Sequence, residues 1–138
     1  MFAEAFACAR IDSLPVSVVA EKQSEVMFID SEHIMRTCSN NCGFHNQLIY
    51  NLMKDLAAKT IMFHHRIEIT SKRTTREKLL AYLTLQAKKN NSNRFKIPFD
   101  RQALADYLEV DRSGLSAKIS KLRNEGVLES EKNYFELL

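Results

Sequence analysis

The chain has 138 residues, 45% apolar and 27% charged, a composition that excludes wholesale disorder and suits one domain or two small linked ones. Three glycines and two prolines exclude collagen-like, linker-like and turn-rich all-β classes. The formal charge of +3 is unevenly spread: residues 1–71 carry 6 basic and 8 acidic side chains, residues 72–138 carry 14 and 9. A basic C-terminal half fits an anionic partner such as nucleic acid, and equally a solvated charged surface.

The start, MFAEAFACA, contains Glu4 and no basic leader, so it makes a poor secretory signal. No run of 18 apolar residues is present, so no membrane-spanning helix is expected. The three cysteines are odd in number and too sparse for a disulfide scaffold, which points to the reducing cytoplasm. Residues 14–21 alternate valines with small residues, and residues 24–30 are rich in apolar and aromatic side chains. Both segments predict strands, joined by a polar turn. Ser31 then reads as the N-cap of a short helix ending near Ser39–Asn41.

From Cys42 to Ser71 there is no proline, and the lone glycine stands at the start. Ile49, Met53, Leu56, Thr60, Phe63 and Ile67 recur at spacings of 4 and 3 residues, which predicts a long helix with a dimer seam. A helix of this extent is ~43 Å long, more than a small domain needs. A second stripe, Leu48, Leu52 and Ile61, can face the helix's own domain; alternatively both stripes are internal core.

Thr74 with Glu77 three residues on fits a capping box, and the following helix carries Leu79, Leu80, Leu83 and Leu85. A polar loop over 88–93 leads to a short edge strand over Arg94–Phe99. Asp100 can cap a helix bearing Ala103, Leu104, Tyr107 and Leu108, and after a tight turn at Val110, Asp111 can cap another. In this second helix Leu115, Ile119 and Leu122 form one apolar face, and Gly126 follows its end. Residues 127–128 and 134–137 flank a polar turn and read as a hairpin.

Helix, tight turn, helix and hairpin together make the plan of a winged helix-turn-helix. With Leu115, Ile119 and Leu122 inward, Ser113, Ala117, Ser120 and Asn124 point outward and Arg112 stands at the N-terminal end. Small residues let the backbone approach the major groove, and an arginine can pair with a guanine edge. Ser116, Lys118, Lys121 and Arg123 flank that face, and Arg101 and Gln102 start the preceding helix; the lysines suit phosphates. A helical hairpin with a merely soluble outer face fits the same spacing.

These segments also resemble a known family. FDRQALADYLEVDRSGLSAKISKLRNEGVL is similar to the helix-turn-helix of the Crp/Fnr bacterial transcription regulators. FIDSEHIM resembles the strand and short helix closing that family's sensor barrel, HNQLIYNLMKDLAAK its long dimerisation helix, and TTREKLLAYL the first helix of its DNA-binding domain. The resemblance implies a mostly α fold with a small β component (α+β). It would comprise a remnant of a cyclic-nucleotide-binding-type β-barrel (1–41), a dimerisation helix (42–71) and a winged helix-turn-helix (72–138). It implies a homodimeric, allosteric regulator on two-fold symmetric double-stranded DNA, reading it with residues 111–124, and RNA polymerase as a further candidate partner. The chain then begins inside the barrel, as a truncated chain or fragment would.

The family's cyclic-nucleotide binders use a Gly-Glu pair and a later Arg-Ser pair. Here Ala3-Glu4 matches the first imperfectly, and Leu14-Pro15 fill the second. A buried phosphate without its cation is costly, so the effector is expected not to be cyclic AMP, and Glu4 is a weak effector-binding candidate beside a structural role. On the reading face Ser113 and Ala117 replace an acidic residue and an arginine of the cyclic-AMP regulator, leaving Arg112. Glu109 occupies a turn position where the family commonly has glycine; a positive φ there would strain it.

Two alternatives remain open from the residues. The long helix can serve a different protein partner. Cys38, Cys42 and His45 can form a thiol or metal sensor, although their spacing is not a standard zinc pattern and small buried residues fit as well. No cofactor is expected, and no enzyme motif appears: there is no phosphate-binding glycine loop, nucleophile elbow or convincing carboxylate pair.

Overall fold

The computed structural model describes residues 2–35 and 42–138. The chain divides into two compact units, Met1–Met62 and Phe63–Leu138. Cys38 and the expected end of the short helix near Ser39–Asn41 lie outside the described residues.

The C-terminal unit is built around short helices whose ends are chemically specified. Helix α3 (Gly43–Thr70) runs into it and delivers Ile69 to the core. Helix α4 (Thr75–Asn90) starts at the expected capping box. The Thr74 hydroxyl accepts from the Glu77 amide at 3.2 Å, and the Glu77 carboxylate accepts from the Thr74 amide at 3.0 Å. Helix α5 (Arg101–Leu108) is capped by Asp100, which accepts from the Ala103 amide at 2.8 Å. Helix α6 (Arg112–Asn124) is capped by Asp111, which accepts from the Gly114 amide at 2.7 Å.

Glu109, between α5 and α6, has φ 54°, and its amide and that of Val110 close back onto Asp106 and Ala105. The strained left-handed position foreseen for this residue is therefore real. Gly126, just past α6, has φ 69°, and a Cβ there would meet nothing within 4 Å. Its requirement for glycine is conformational, not steric.

Strands β1 (Arg94–Lys96), β2 (Leu128–Glu131) and β3 (Tyr134–Leu137) form one antiparallel sheet in the order β1-β3-β2. β1 ends before Pro98, so it is shorter than the 94–99 expected. The pairing Phe95↔Phe135↔Ser130 puts both phenylalanines on the buried face. The pairing Arg94↔Glu136↔Glu129 puts charges on the other. Leu79 and Leu83 of α4, Leu104 and Leu108 of α5, Leu115, Ile119 and Leu122 of α6 and Leu128 of β2 complete a single core with the two phenylalanines. Leu80 and Leu85, expected with them, pack against its edge.

The N-terminal unit differs from expectation. Residues 14–21 and 24–30 form no strands, and every strand among the described residues lies in the C-terminal sheet. The β-branched and aromatic composition is strand-like, but a strand needs a ladder partner and a covered face, and an isolated hairpin is marginal in water. Neither is supplied, and Phe28 is 95% exposed. The expected barrel remnant thus has no β-structure among the described residues. The unit instead carries α1 (Glu4–Cys8), which was not expected, α2 (Ser31–Met35) and the first part of α3. Ser31 is the first helical residue of α2, not its cap. Asp30 takes that role, accepting from the amides of Glu32 (2.9 Å) and His33 (3.4 Å).

The long helix matches its expected extent of 42–71 closely. Of its seam residues, Met53 and Ile67 are 64% and 66% exposed and Phe63 is also exposed, while Ile49 and Leu56 are half-buried. Thr60 satisfies its hydroxyl on the Leu56 carbonyl at 2.9 Å. In the second stripe, Leu48 and Leu52 are half-buried and Ile61 is exposed.

Urea unfolding of the C-terminal unit tests this packing. Leu104→Ala, at a fully buried site, should cost about 2–5 kcal/mol. Thr74→Ala, which removes only the cap, should cost about 1 kcal/mol.

Candidate nucleic-acid interface

The orientation of α6 follows from its apolar face. Leu115, Ile119 and Leu122 are buried. Arg112, Ser113, Ala117, Ser120 and Asn124 are exposed, with Ser116 and Lys118 half-buried and Lys121 exposed beside them. The outer surface of α6 is therefore a strip of small side chains with an arginine at its N-terminal end and lysines along it, as the spacing indicated.

Several of the expected contact residues turn out to have partners inside the protein. The Ser113 hydroxyl donates to Asp111 Oδ2, so it supports the cap of α6 as well as lying on its outer face. With the Gly114 amide, that bond holds the Asp111 carboxyl below the usual carboxylate range. Arg123 lies 3.4 Å from Glu129 of β2. Gln102 donates to Asp106 within α5 at 2.9 Å. Arg101 is half-buried, with its guanidinium 5.6 Å from the centre of the Phe135 ring and Nη2 donating to the Lys132 carbonyl at 3.4 Å. Arg101 thus ties the start of α5 to the hairpin turn.

That tether brings in two cations that sequence reasoning missed. Lys132 is exposed at φ 53° in the turn between β2 and β3. Lys96 of β1 lies over the Tyr134 ring at 5.6 Å. Lys132 was legible as a turn lysine, but only the sheet register and Arg101 associate it with the start of α5. The outer sheet face also carries acids. Glu129 and Glu136 stand opposite each other, relieved by Arg123 at 3.4 Å and Arg94 at 4.0 Å. This face is charge-balanced, whereas α6 carries Arg112, Lys118, Lys121 and Arg123 and no acid within its own length. The net surplus of residues 72–138 falls in 72–93, where Glu77 is the one acid.

The remaining candidate sites lie in the N-terminal unit. Glu4 pairs with Lys59 of α3, and this hydrogen bond holds its carboxyl below the usual range against the opposing effect of burial. Its Oε2 is buried without a hydrogen-bond partner, at the wall of an apolar cavity of about 510 Å³ that Phe28, Ile34 and Leu52 also line. His45 donates from Nε2 to the Ile34 carbonyl at 2.6 Å. Cys42 is exposed. Among the described residues no group of three or more His, Cys, Asp or Glu is arranged to hold a metal.

Residues 77–138 match the family model of the Crp-like helix-turn-helix domain, and every element from α5 to β3 falls inside that match. The C-terminal region is a Crp-like helix-turn-helix domain. A domain of this type suggests a DNA-binding transcription regulator. In a helix-turn-helix the second helix is the one that enters the groove, and α6 is second in the pair α5–α6. No curated protein matches the chain. No helix among the described residues is long and apolar enough to cross a membrane.

The cap of α6 gives the Crp-like domain a defined acid response. A folded-state pKa below the ordinary 3.8 means that ionised Asp111 favours folding. That contribution is present above the ordinary value and is lost as pH falls through the depressed one. In urea unfolding at about pH 6 and about pH 3, Asp111→Asn should show a smaller acid loss of stability than wild type.

Proposed function

We propose that the protein is a sequence-specific DNA-binding transcription regulator that acts as a homodimer and reads the major groove with α6. The single observation that carries this reading is the α6 surface: three buried apolar residues force Arg112, Ala117 and Ser120 outward in a Crp-like domain. Arg112 supplies the bidentate donor for a guanine edge, Ala117 and Ser120 allow close approach, and Ser113 and Ser116 add short polar contacts. Lys118, Lys121 and the hairpin-turn Lys132 supply phosphate contacts that set position without reading sequence. Arg101 and Gln102 contribute from the start of α5, with Arg101 acting chiefly through the hairpin turn it holds.

The stripe of α3 supports dimer formation through Ile49, Met53, Leu56, Thr60, Phe63 and Ile67, of which Met53, Phe63 and Ile67 are open to water and Ile49 and Leu56 are half-buried. Apolar side chains at heptad spacing that stay open to water are what a second copy of the helix would cover. A dimer of this kind reads two half-sites about one helical turn apart. Control by an effector bound on the N-terminal side is part of the same proposal. That effector is expected not to be cyclic AMP, because in the family resemblance Leu14 and Pro15 fill the positions of the cation-bearing pair.

Selection of bound duplexes from a random DNA pool, at low and near-physiological salt, tests the reading. A two-fold symmetric motif should survive the higher salt and should be lost in Arg112→Ala, because non-specific phosphate binding falls steeply with salt. Motif-free, salt-sensitive binding alone would overturn sequence-specific recognition. Ile67→Glu should shift the chain from dimer to monomer in sedimentation and weaken binding to the two-half-site duplex. A chain that is monomeric before substitution would instead favour a different partner for α3.

A further inference from the structure

Helix α4 is not placed to read DNA in the proposal above, yet two of its basic side chains reach the helices that do. Lys78, half-buried, donates from Nζ to the carbonyl of Leu108 at 3.1 Å and to that of Glu109 at 3.4 Å. Arg76 pairs with Glu125, the residue that ends α6. From α3, Arg66 lies over the Tyr107 ring at 5.4 Å and stands 4.0 Å from the Glu109 carboxylate. Three cations therefore converge on the C-terminal ends of α5 and α6.

Each of these ends needs a cation for a physical reason. The last carbonyls of a helix have no intrahelical donor and carry the negative end of the helix dipole. At α5 the chain reverses through Glu109 in the left-handed region, where its side chain costs more than glycine would. Without a donor, the Leu108 carbonyl would lose a charge-assisted bond in a partly buried place. At α6 a carboxylate beside the negative helix end is unfavourable by itself, and Arg76 offsets it. The same pairing holds the Glu125 carboxyl below the usual range.

We propose that Lys78 is a positioning residue for DNA recognition. By holding the backbone of the α5–α6 turn, it sets the angle at which α6 is presented, and it does so without touching DNA. Arg76 holds the other end of α6 in the same frame. Base reading depends on side chains meeting group edges to within a few tenths of an ångström, whereas phosphate attraction tolerates a small rotation. Loss of Lys78 should therefore reduce specific binding far more than non-specific binding. The proposal rests on the reading of α6 as the recognition helix.

The test uses the full chain, the duplex selected as above and a random duplex of equal length. Lys78→Met keeps the apolar stem and removes the donor. It should weaken binding to the selected duplex about tenfold, the size of one impaired base contact, and leave the random duplex unchanged. The slope of log affinity against log salt should stay the same, because no phosphate contact is lost. Lys78→Arg should restore most of the affinity. Wild-type-like binding by Lys78→Met overturns the proposal. So does a shallower salt slope, which would make Lys78 a direct phosphate contact, or loss of the folded circular-dichroism signal, which would make it a general stabiliser. Arg112→Ala separates the two readings. If it also binds the selected duplex like wild type, the α6 reading fails and the Lys78 proposal with it. If it is defective while Lys78→Met is not, the Lys78 proposal fails alone.

Discussion

Burial of Leu115, Ile119 and Leu122 against α4, α5 and the sheet is the constraint from which the rest of the DNA-binding unit follows. Each such side chain contributes about 1.5–3 kcal/mol when removed from water, so rotating α6 about its axis would forfeit several at once. With that face committed inward, the opposite face is presented without any further choice. Arg112 stands at its N-terminal end because Asp111 starts the helix there. In the proposed reading, specificity for DNA is thus set by a packing decision on the opposite side of the helix.

Charge is arranged around the same frame. Asp100, Asp111 and the Thr74–Glu77 box place acceptors at helix N-termini, and Lys78 and Arg76 place cations at C-termini. Both arrangements complement the helix dipoles. Individually exposed pairs such as Arg66–Glu109 add little stability. Their value is geometric, since several weak ties to one turn remove its freedom to rotate. The core decides which face of α6 points outward, and the charged ties are proposed to set its angle.

The long helix joins this unit to a segment of another character. Its apolar stripe is partly open to water in a single chain, and residues 14–30 show strand-like composition without strands. Both features have one physical origin: an open apolar stripe and a strand are satisfied only against a covering surface. Where the partner is in the same unit, as for β3 between β1 and β2, the element forms.

Much of the C-terminal unit was legible in the sequence because its signals are local. Caps at Thr74, Asp100 and Asp111, the 4-3 spacing of Leu115, Ile119 and Leu122, and Gly126 past the helix end each act within a few residues. They located α4, α5, α6 and the hairpin, and with them the outward face bearing Arg112. In the C-terminal unit the sequence by itself determined where helices begin and end and which of their faces is apolar, since capping and periodicity are short-range. Only the tertiary structure decided that residues 14–30 stay unpaired, that Arg101 is spent on the hairpin turn, that Ser113 supports its own helix cap, and that Lys78 grips carbonyls thirty residues away. Those outcomes depend on which groups compete for the same donor or the same covering surface, and that competition exists only once the chain has folded back on itself.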